Sequence, residues 1–279
     1  MRGKAESVFL RVMVYGAAAL TVGVLLCLVG YVLIKGVPNL SPELFAFKYN
    51  SENVSMLPAL VNTITMTLLS LLIAVPVGIF SAVYLVEYAK RGNRLVGLVR
   101  ITAETLSGIP SIVYGLFGFL LFVSALGWGY SLLAGAFTLA IMILPIIMRT
   151  TEEALLSVPD TFREGSFGLG AGKLRTVFRI VLPSAVPGIL AGVILSMGRI
   201  VGETAALIYT AGSVAQIPDN LMGSGRTLSV HMFALWREGL NTEQSYATAV
   251  VLLIIVAGLN GMSSFIAKKI SKGKTNEKV

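Results

Sequence analysis

Charge is what this sequence has least of. Only 13% of its 279 residues are Asp, Glu, Lys or Arg, about half the share of an ordinary soluble domain. The hydrophobic fraction is 55% and the mean hydropathy +0.82. So little polar surface cannot cover a core of this size in water, and the same composition excludes disorder. Cysteine occurs once, at Cys27, which rules out a disulfide scaffold. Histidine also occurs once, at His231, so no multi-histidine metal site exists, and one Cys with one His makes no zinc site without carboxylates. What remains is an all-α integral membrane protein of one domain.

The apolar runs are long enough to span. A helix crosses the roughly 30 Å hydrocarbon layer with about 20 residues. Six runs satisfy this: Val12–Ile34, Ala59–Val86, Thr105–Leu126, Ser131–Met148, Ser184–Ala211 and Tyr246–Ala267, the third and fourth joined by a tight Gly127-Trp128-Gly129 turn. The first is too long for a signal-peptide core and no small-x-small cleavage site follows it, so it reads as a retained helix. The spacing divides the chain into a first helix with its outer loop (1–58), a transmembrane core (59–267) with a cytoplasmic loop at 150–183, and a basic tail (268–279).

Lys and Arg set the orientation. Seventeen of the 22 fall on one side of these spans, in the N-terminus, the loop Lys90–Arg100, the loop Arg149–Arg179 and the tail Lys268–Lys278; Lys35, Lys48, Arg226 and Arg237 fall on the other. Both termini are therefore expected in the cytoplasm. The net charge of +8 is a topology signal, and its spread over four cytoplasmic edges excludes a nucleic-acid face. The outer loops are 35–58 and 212–245, and Leu228–Trp236 has the pattern of an interfacial helix, with His231 expected at the surface.

The stretch Thr150–Pro183 is the most informative. Pro159-Asp160 marks a helix start, since Pro suits the first turn and an acid the positive end of the dipole. Phe162, Phe167 and Leu169 follow; Gly170 and Gly172 are placed to end the helix with positive φ. A second short helix is expected from Lys173, and Leu182-Pro183 leads into the fifth span. The pattern is an amphipathic helix–turn–helix, read either as an interfacial passage back to the bilayer or as a docking element for a cytoplasmic partner. Gly168–Lys173 superficially suggests a phosphate loop, but Phe167 and Leu174 stand where a Walker pattern requires Gly and Ser/Thr, so nucleotide is not expected to bind this chain.

Within that stretch, Glu164-Gly165-Ser166, three residues, Gly170, nine residues and Ile180-x-Leu182-Pro183 resembles the E-A-A-x3-G-x9-I-x-L-P motif of ABC-importer permeases. Gly165 and Ser166 replace two alanines. Ala82–Ala89, Leu106–Gly115, Gly198–Tyr209 and Val230–Gly239 are similar to the permeases of phosphate-specific ABC importers of the PstA type. The resemblance covers about residues 55–270. It implies a type I importer permease (MetI-like) fold with six transmembrane helices, no catalysis and no cofactor bound by this chain. It also implies a bacterial or archaeal plasma (inner) membrane location and contact with membrane lipid. The implied partners are a second permease of the PstC type, two copies of a PstB-type ATP-binding subunit, a PstS-type phosphate-binding protein outside, and inorganic phosphate. By the same resemblance, Glu164, Gly165, Ser166, Gly170, Ile180, Leu182 and Pro183 form the ATPase-coupling loop.

Arg199 and Glu203 lie deep in the fifth span, about 24 Å of helical rise beyond Pro183 for Arg199. Buried charge is costly and faces protein or water. Spacing i,i+4 puts the two on one helix face, with Gly198 and Gly202 beside them and Thr204 adjacent. Two readings stand: a structural ion pair, or a transient oxyanion site in which the Arg fork meets phosphate. The family resemblance favours the second, making Arg199, Glu203 and Thr204 pathway residues. Rival functions are an importer of another oxyanion (sulfate, molybdate, phosphonate), an ATP-independent transporter or channel, and an intramembrane enzyme, for which too few ionisable groups lie in the spans.

Overall fold

The computed structural model describes residues 2–90 and 92–276, and the side chains of all these except 2–6, 8, 263 and 266–276. Arg91 and Lys278 of the charge count thus lie outside the described residues, as do the side chains of Arg2, Lys4, Lys268, Lys269, Lys272 and Lys274. Every regular element among the described residues is helical: two short 3-10 turns, Val37–Asn39 and Pro42–Phe45, lie in the first outer loop, and the rest are α-helices with π-type extensions. In order the α-helices are α1 (Arg2–Gly36), α2 (Leu57–Val83), α3 (Arg94–Ser107), α4 (Ser111–Gly118), α5 (Leu132–Leu156), α6 (Asp160–Gly168), α7 (Lys173–Thr176), α8 (Leu182–Gly202), α9 (Ala205–Thr210), α10 (Leu228–Glu238) and α11 (Thr242–Asn276). Wider π-type turns extend α2 over Tyr84–Tyr88, α4 over Phe119–Ala125 and α7 over Val177–Val181.

Five helical stretches are long and apolar enough to cross a membrane, and a sixth if α3 and α4 count as one bent span. They do not form the single third helix expected from Thr105: the two meet at 104°. Pro110 lacks an N–H and steers Ile109 away from helical geometry, so α3 ends at Ser107 and α4 starts afresh at Ser111. The Tyr114 hydroxyl reaches back across the bend to the Leu106 carbonyl at 2.7 Å, a second donor on an acceptor that already takes the Ile109 N–H at 3.1 Å. On α3, Arg100 pairs with Glu152 of α5 while Leu95, Leu98 and Ile101 stay exposed, the two-sided character of a helix at an interface.

The core is built around α5. Leu139, Ile143 and Ile147 are fully buried against Met66 and Ala74 of α2, Tyr114 of α4 and Ile200 of α8. A second cluster joins Met148 and Leu155 of α5 to Ala82, Val83, Val181 and Ile189. With apolar surface on both sides of a membrane helix, close packing does the holding. Gly115 is an example: a Cβ there would lie 2.8 Å from the Ala206 Cα, so only glycine lets α4 and α9 touch. The expected turn between α4 and α5 is present, with Gly127 and Gly129 at φ of 67° and 65° and Trp128 stacked on Phe122. By contrast α1 exposes nearly every described apolar side chain, Leu20, Leu26 and Ile34 among them. This chain alone does not cover α1; hydrocarbon or a neighbour must.

The polar residues Asn62, Thr63 and Thr67 at the start of α2 serve packing. Thr63 and Thr67 donate to carbonyls one turn back, and Thr63 also accepts the Leu228 N–H. Asn62 donates to the carbonyls of Gln216 and Arg226. They fasten the second outer loop to the bundle. A check on orientation follows from the exposed Leu240 between α10 and α11 and the exposed Thr161 of α6. In a Cys27→Ala background, Leu240→Cys should react with an impermeant thiol reagent on intact cells, and Thr161→Cys should react only after permeabilisation. The reverse pattern would invert the charge-based topology.

Candidate translocation site and coupling loop

The fifth span is not one helix. α8 ends at Gly202; Glu203 is extended (φ −72°, ψ 129°), and α9 begins at Ala205. The reason is local competition for hydrogen bonds. The Glu203 Oε1 accepts the Ala206 N–H at 3.1 Å, so the carboxylate caps the next helix, and the Glu203 carbonyl accepts the Ser229 hydroxyl instead of a helical N–H. The i,i+4 stacking of Arg199 on Glu203 is therefore corrected: the break turns the carboxylate off α8, and no ion pair joins the two among the described residues. Glu203 is 8% exposed. Thr204, next to it, is half-buried, its hydroxyl 3.5 Å from the Gly202 carbonyl.

Arg199 stays on α8, half-buried. Its face is open: Leu195 and Gly202 are exposed, and nothing lies within 4 Å of where a Cβ would stand on Gly198 or Gly202. The stripe immediately beside it, with Gly192, Ser196 and Ile200, is buried, so Arg199 stands at the edge between the packed and open sides of α8. An arginine on an open, membrane-depth face, with no counter-charge among the described residues, needs water, a partner helix or an anion.

The loop between α5 and α8 folds as two short helices. Gly170 has φ +82°, as expected. Gly172 does not share that role: it is extended at φ −74° and precedes α7. Ser166 is buried, and its hydroxyl meets the Thr176 hydroxyl at 2.8 Å. The serine that stands in place of an alanine thus ties α6 to α7. Gly165 has open space where a Cβ would be. Glu164 is exposed, with Phe162, Phe167, Leu174 and Phe178 also exposed and Leu169 91% so. Together they form an apolar platform rimmed by the exposed carboxylates of Asp160 and Glu164 and by the exposed Lys173, Arg175 and Arg179. Ile180, Leu182 and Pro183 lie where α7 runs without interruption into α8, making one helix from Lys173 to Gly202.

Sequence reasoning missed Arg163, counted there only as a cytoplasmic charge. Its guanidinium holds the Glu87 carboxylate (Nη2 at 2.7 Å, Nε at 3.1 Å), the carbonyls of Val158 and Leu155, and Asp160. The Glu87 and Arg163 side chains are only 9% and 15% exposed. This clamp joins α6 to the end of α2. The signal was an acidic residue at the cytoplasmic end of an apolar run, at Glu87 in AVYLVEYA.

His231 is corrected outright. It is fully buried, edge-on to Tyr49 at 6.1 Å. Burial first, then the adjacent Arg226 charge, push its pKa down to about 3, so the ring is neutral at physiological pH. The helix Leu228–Glu238 exists, but it packs inward along α11 rather than lying on the surface.

These features define a helical, multi-pass permease with a short helical platform and an interrupted, charge-bearing span. The solved structure of a bacterial alginate ABC transporter, in complex with its alginate pentasaccharide-bound periplasmic protein, has a chain with the same fold at TM-score 0.65 and 16% identity, covering 94% of this chain and 96% of that one. The chain belongs to the family of binding-protein-dependent transport system inner membrane components, whose pattern matches residues 74–274. It is 43% identical to the phosphate transport system permease protein PstA of Pasteurella multocida, covering 84% of this chain and 85% of that protein. It is 33% identical to the probable ABC transporter permease protein YqgI of Bacillus subtilis, covering 92% and 94%.

Val at position 170 tests the loop. A β-branched residue at φ +82° is strongly disfavoured, and no neighbour relieves it. Gly170→Val should tilt α6 against α7 and lower stimulated ATP hydrolysis and uptake together, by about tenfold for about 1.4 kcal/mol of distortion. Unchanged stimulation would remove the glycine's role.

Proposed function

We propose that this chain forms half of the passage of an ATP-driven importer of inorganic phosphate in a bacterial inner membrane and performs no chemistry itself. The observation that carries the reading is its identity over most of its length with permeases named for phosphate transport. The geometry fits. A second, related permease faces the open side of α8 and encloses the path with it. Arg199 offers the passing oxyanion a planar fork of donors. Glu203 and Thr204, at the break, line the same passage and favour the protonated form of the anion.

Two ATP-binding subunits seat on the platform of α6 and α7, where Glu164 and the exposed aromatics make contact. ATP closes that pair and draws on α6. Two rigid connections carry the pull: the Arg163–Glu87 clamp to α2, and the helix through Ile180, Leu182 and Pro183 to α8. From Lys173 to Arg199 this lever is about 39 Å long at 1.5 Å per residue, so a small tilt at the platform moves Arg199 by ångströms. A binding protein delivers cargo from outside.

Sulfate, molybdate and phosphonate present similar oxygens, so the deciding experiment is selectivity. ATP hydrolysis by the assembled complex should be stimulated by its binding protein loaded with phosphate and remain basal when sulfate replaces phosphate. Stimulation by sulfate with none by phosphate would reassign the cargo.

A further inference from the structure

Arg226 is the most deeply buried charge on the outer side of the bundle, at 4% exposure. Its Nε and Nη2 are buried and have no hydrogen-bond partner. Its guanidinium lies 4.8 Å from the Tyr49 ring centroid, a cation–π contact that leaves the N–H groups of the fork unused. No carboxylate pairs with it among the described residues, and the buried His231 beside it is neutral. A buried guanidinium left in this state is unfavourable unless an anion completes it. It also borders a cavity of about 290 Å³ lined by Ser213, Arg226, Phe233, Arg237 and Glu238 among others. That volume is several times the roughly 30 Å³ share of one water, enough for a tetrahedral anion with its hydration. Two arginines against one glutamate leave the lining net positive, and the exposed Ser213 marks its mouth.

We infer that this outer cavity is an oxyanion site, in which Arg226 and Arg237 hold free phosphate before it reaches Arg199. Arg226 is fixed for the task from three sides. Its N–H donates to the Val214 carbonyl at 2.9 Å, its carbonyl accepts the Asn62 amide at 3.2 Å, and Tyr49 covers one face of the guanidinium. The guanidinium is thus held at the cavity wall with Nε and Nη2 unfilled, a buried positive charge that an oxyanion in the cavity neutralises. The inference rests on the reading of phosphate as cargo.

The test uses the assembled complex in nanodiscs, in a Cys27→Ala background, with Ser213→Cys as reporter. Inorganic phosphate should slow labelling of that cysteine by a charged thiol reagent at least threefold, while chloride at equal ionic strength should not. Arg226→Gln should abolish the protection. Arg237→Gln, at an exposed position that folding tolerates, should weaken it. Labelling indifferent to phosphate in the parent would overturn the inference, as would protection that survives both substitutions. If phosphate-loaded binding protein stimulates ATP hydrolysis but phosphate gives no protection, this site falls and the cargo reading stands. If sulfate both stimulates and protects, the cargo reading falls and the oxyanion site remains.

Discussion

Arg199→Gln lowers phosphate uptake by about 10- to 150-fold while the complex still assembles. A charge-assisted hydrogen bond is worth about 1.5–3 kcal/mol, and each 1.4 kcal/mol is about tenfold; glutamine keeps donors but no charge. Assembly survives because Arg199 is half-buried and makes no ion pair among the described residues, so its removal strands no buried carboxylate. Arg199→Lys separates the two contributions: charge alone preserves part of the rate, whereas dependence on the planar fork preserves little. Glu203 gives an internal control. Glu203→Gln retains an oxygen that accepts the Ala206 N–H, so α9 keeps its cap and any loss of uptake belongs to the lost charge. Glu203→Ala removes the cap as well and should also reduce assembly. Uptake in Arg199→Gln at the parental rate, at matched membrane levels, would place the pathway elsewhere.

The second large effect is at Arg163. Arg163→Met keeps the bulk of the side chain but removes its five hydrogen bonds and leaves Glu87, 9% exposed, without a counter-charge. Breaking a fully buried pair costs about 3–5 kcal/mol; the residual exposure here places the loss at the lower end. The platform should then move without α2. The expected result is ATP hydrolysis near the basal rate and no longer raised by loaded binding protein, with uptake lost. Arg163→Lys should restore little, because an ammonium cannot span Glu87 and two carbonyls at once. The double change Glu87→Gln with Arg163→Met should recover stability, since no buried charge is left unpaired, yet not coupling. Full stimulation in Arg163→Met would reduce the clamp to a structural contact.

The parts legible in the sequence were those governed by one local rule. Apolar length placed the long helices, and the positive φ of Gly170 followed from its position after α6. Three features were hidden because each depends on a partner far away in sequence. The α3–α4 bend had its proline in view, but its 104° angle depends on Tyr114 closing the corner and Arg100 reaching Glu152 on α5. Helical spacing put Arg199 and Glu203 on one face, but Ser229, 26 residues on, takes the Glu203 carbonyl and the carboxylate turns to Ala206. His231 and Arg226 looked like loop residues because a loop is normally solvated. Here the loop folds inward, and Asn62 and Thr63, 154 to 165 residues away, fasten it.

The central claim is that ATP, acting through this chain's cytoplasmic platform, moves phosphate past Arg199. It is tested most directly in proteoliposomes holding the assembled complex with binding protein outside and ATP sealed inside. Radiolabelled phosphate should accumulate against its gradient only when phosphate-loaded binding protein and internal ATP are both present, and Arg199→Gln should slow that accumulation by about 10- to 150-fold without abolishing basal ATP hydrolysis. Accumulation without ATP, driven by an ion gradient alone, would contradict the account.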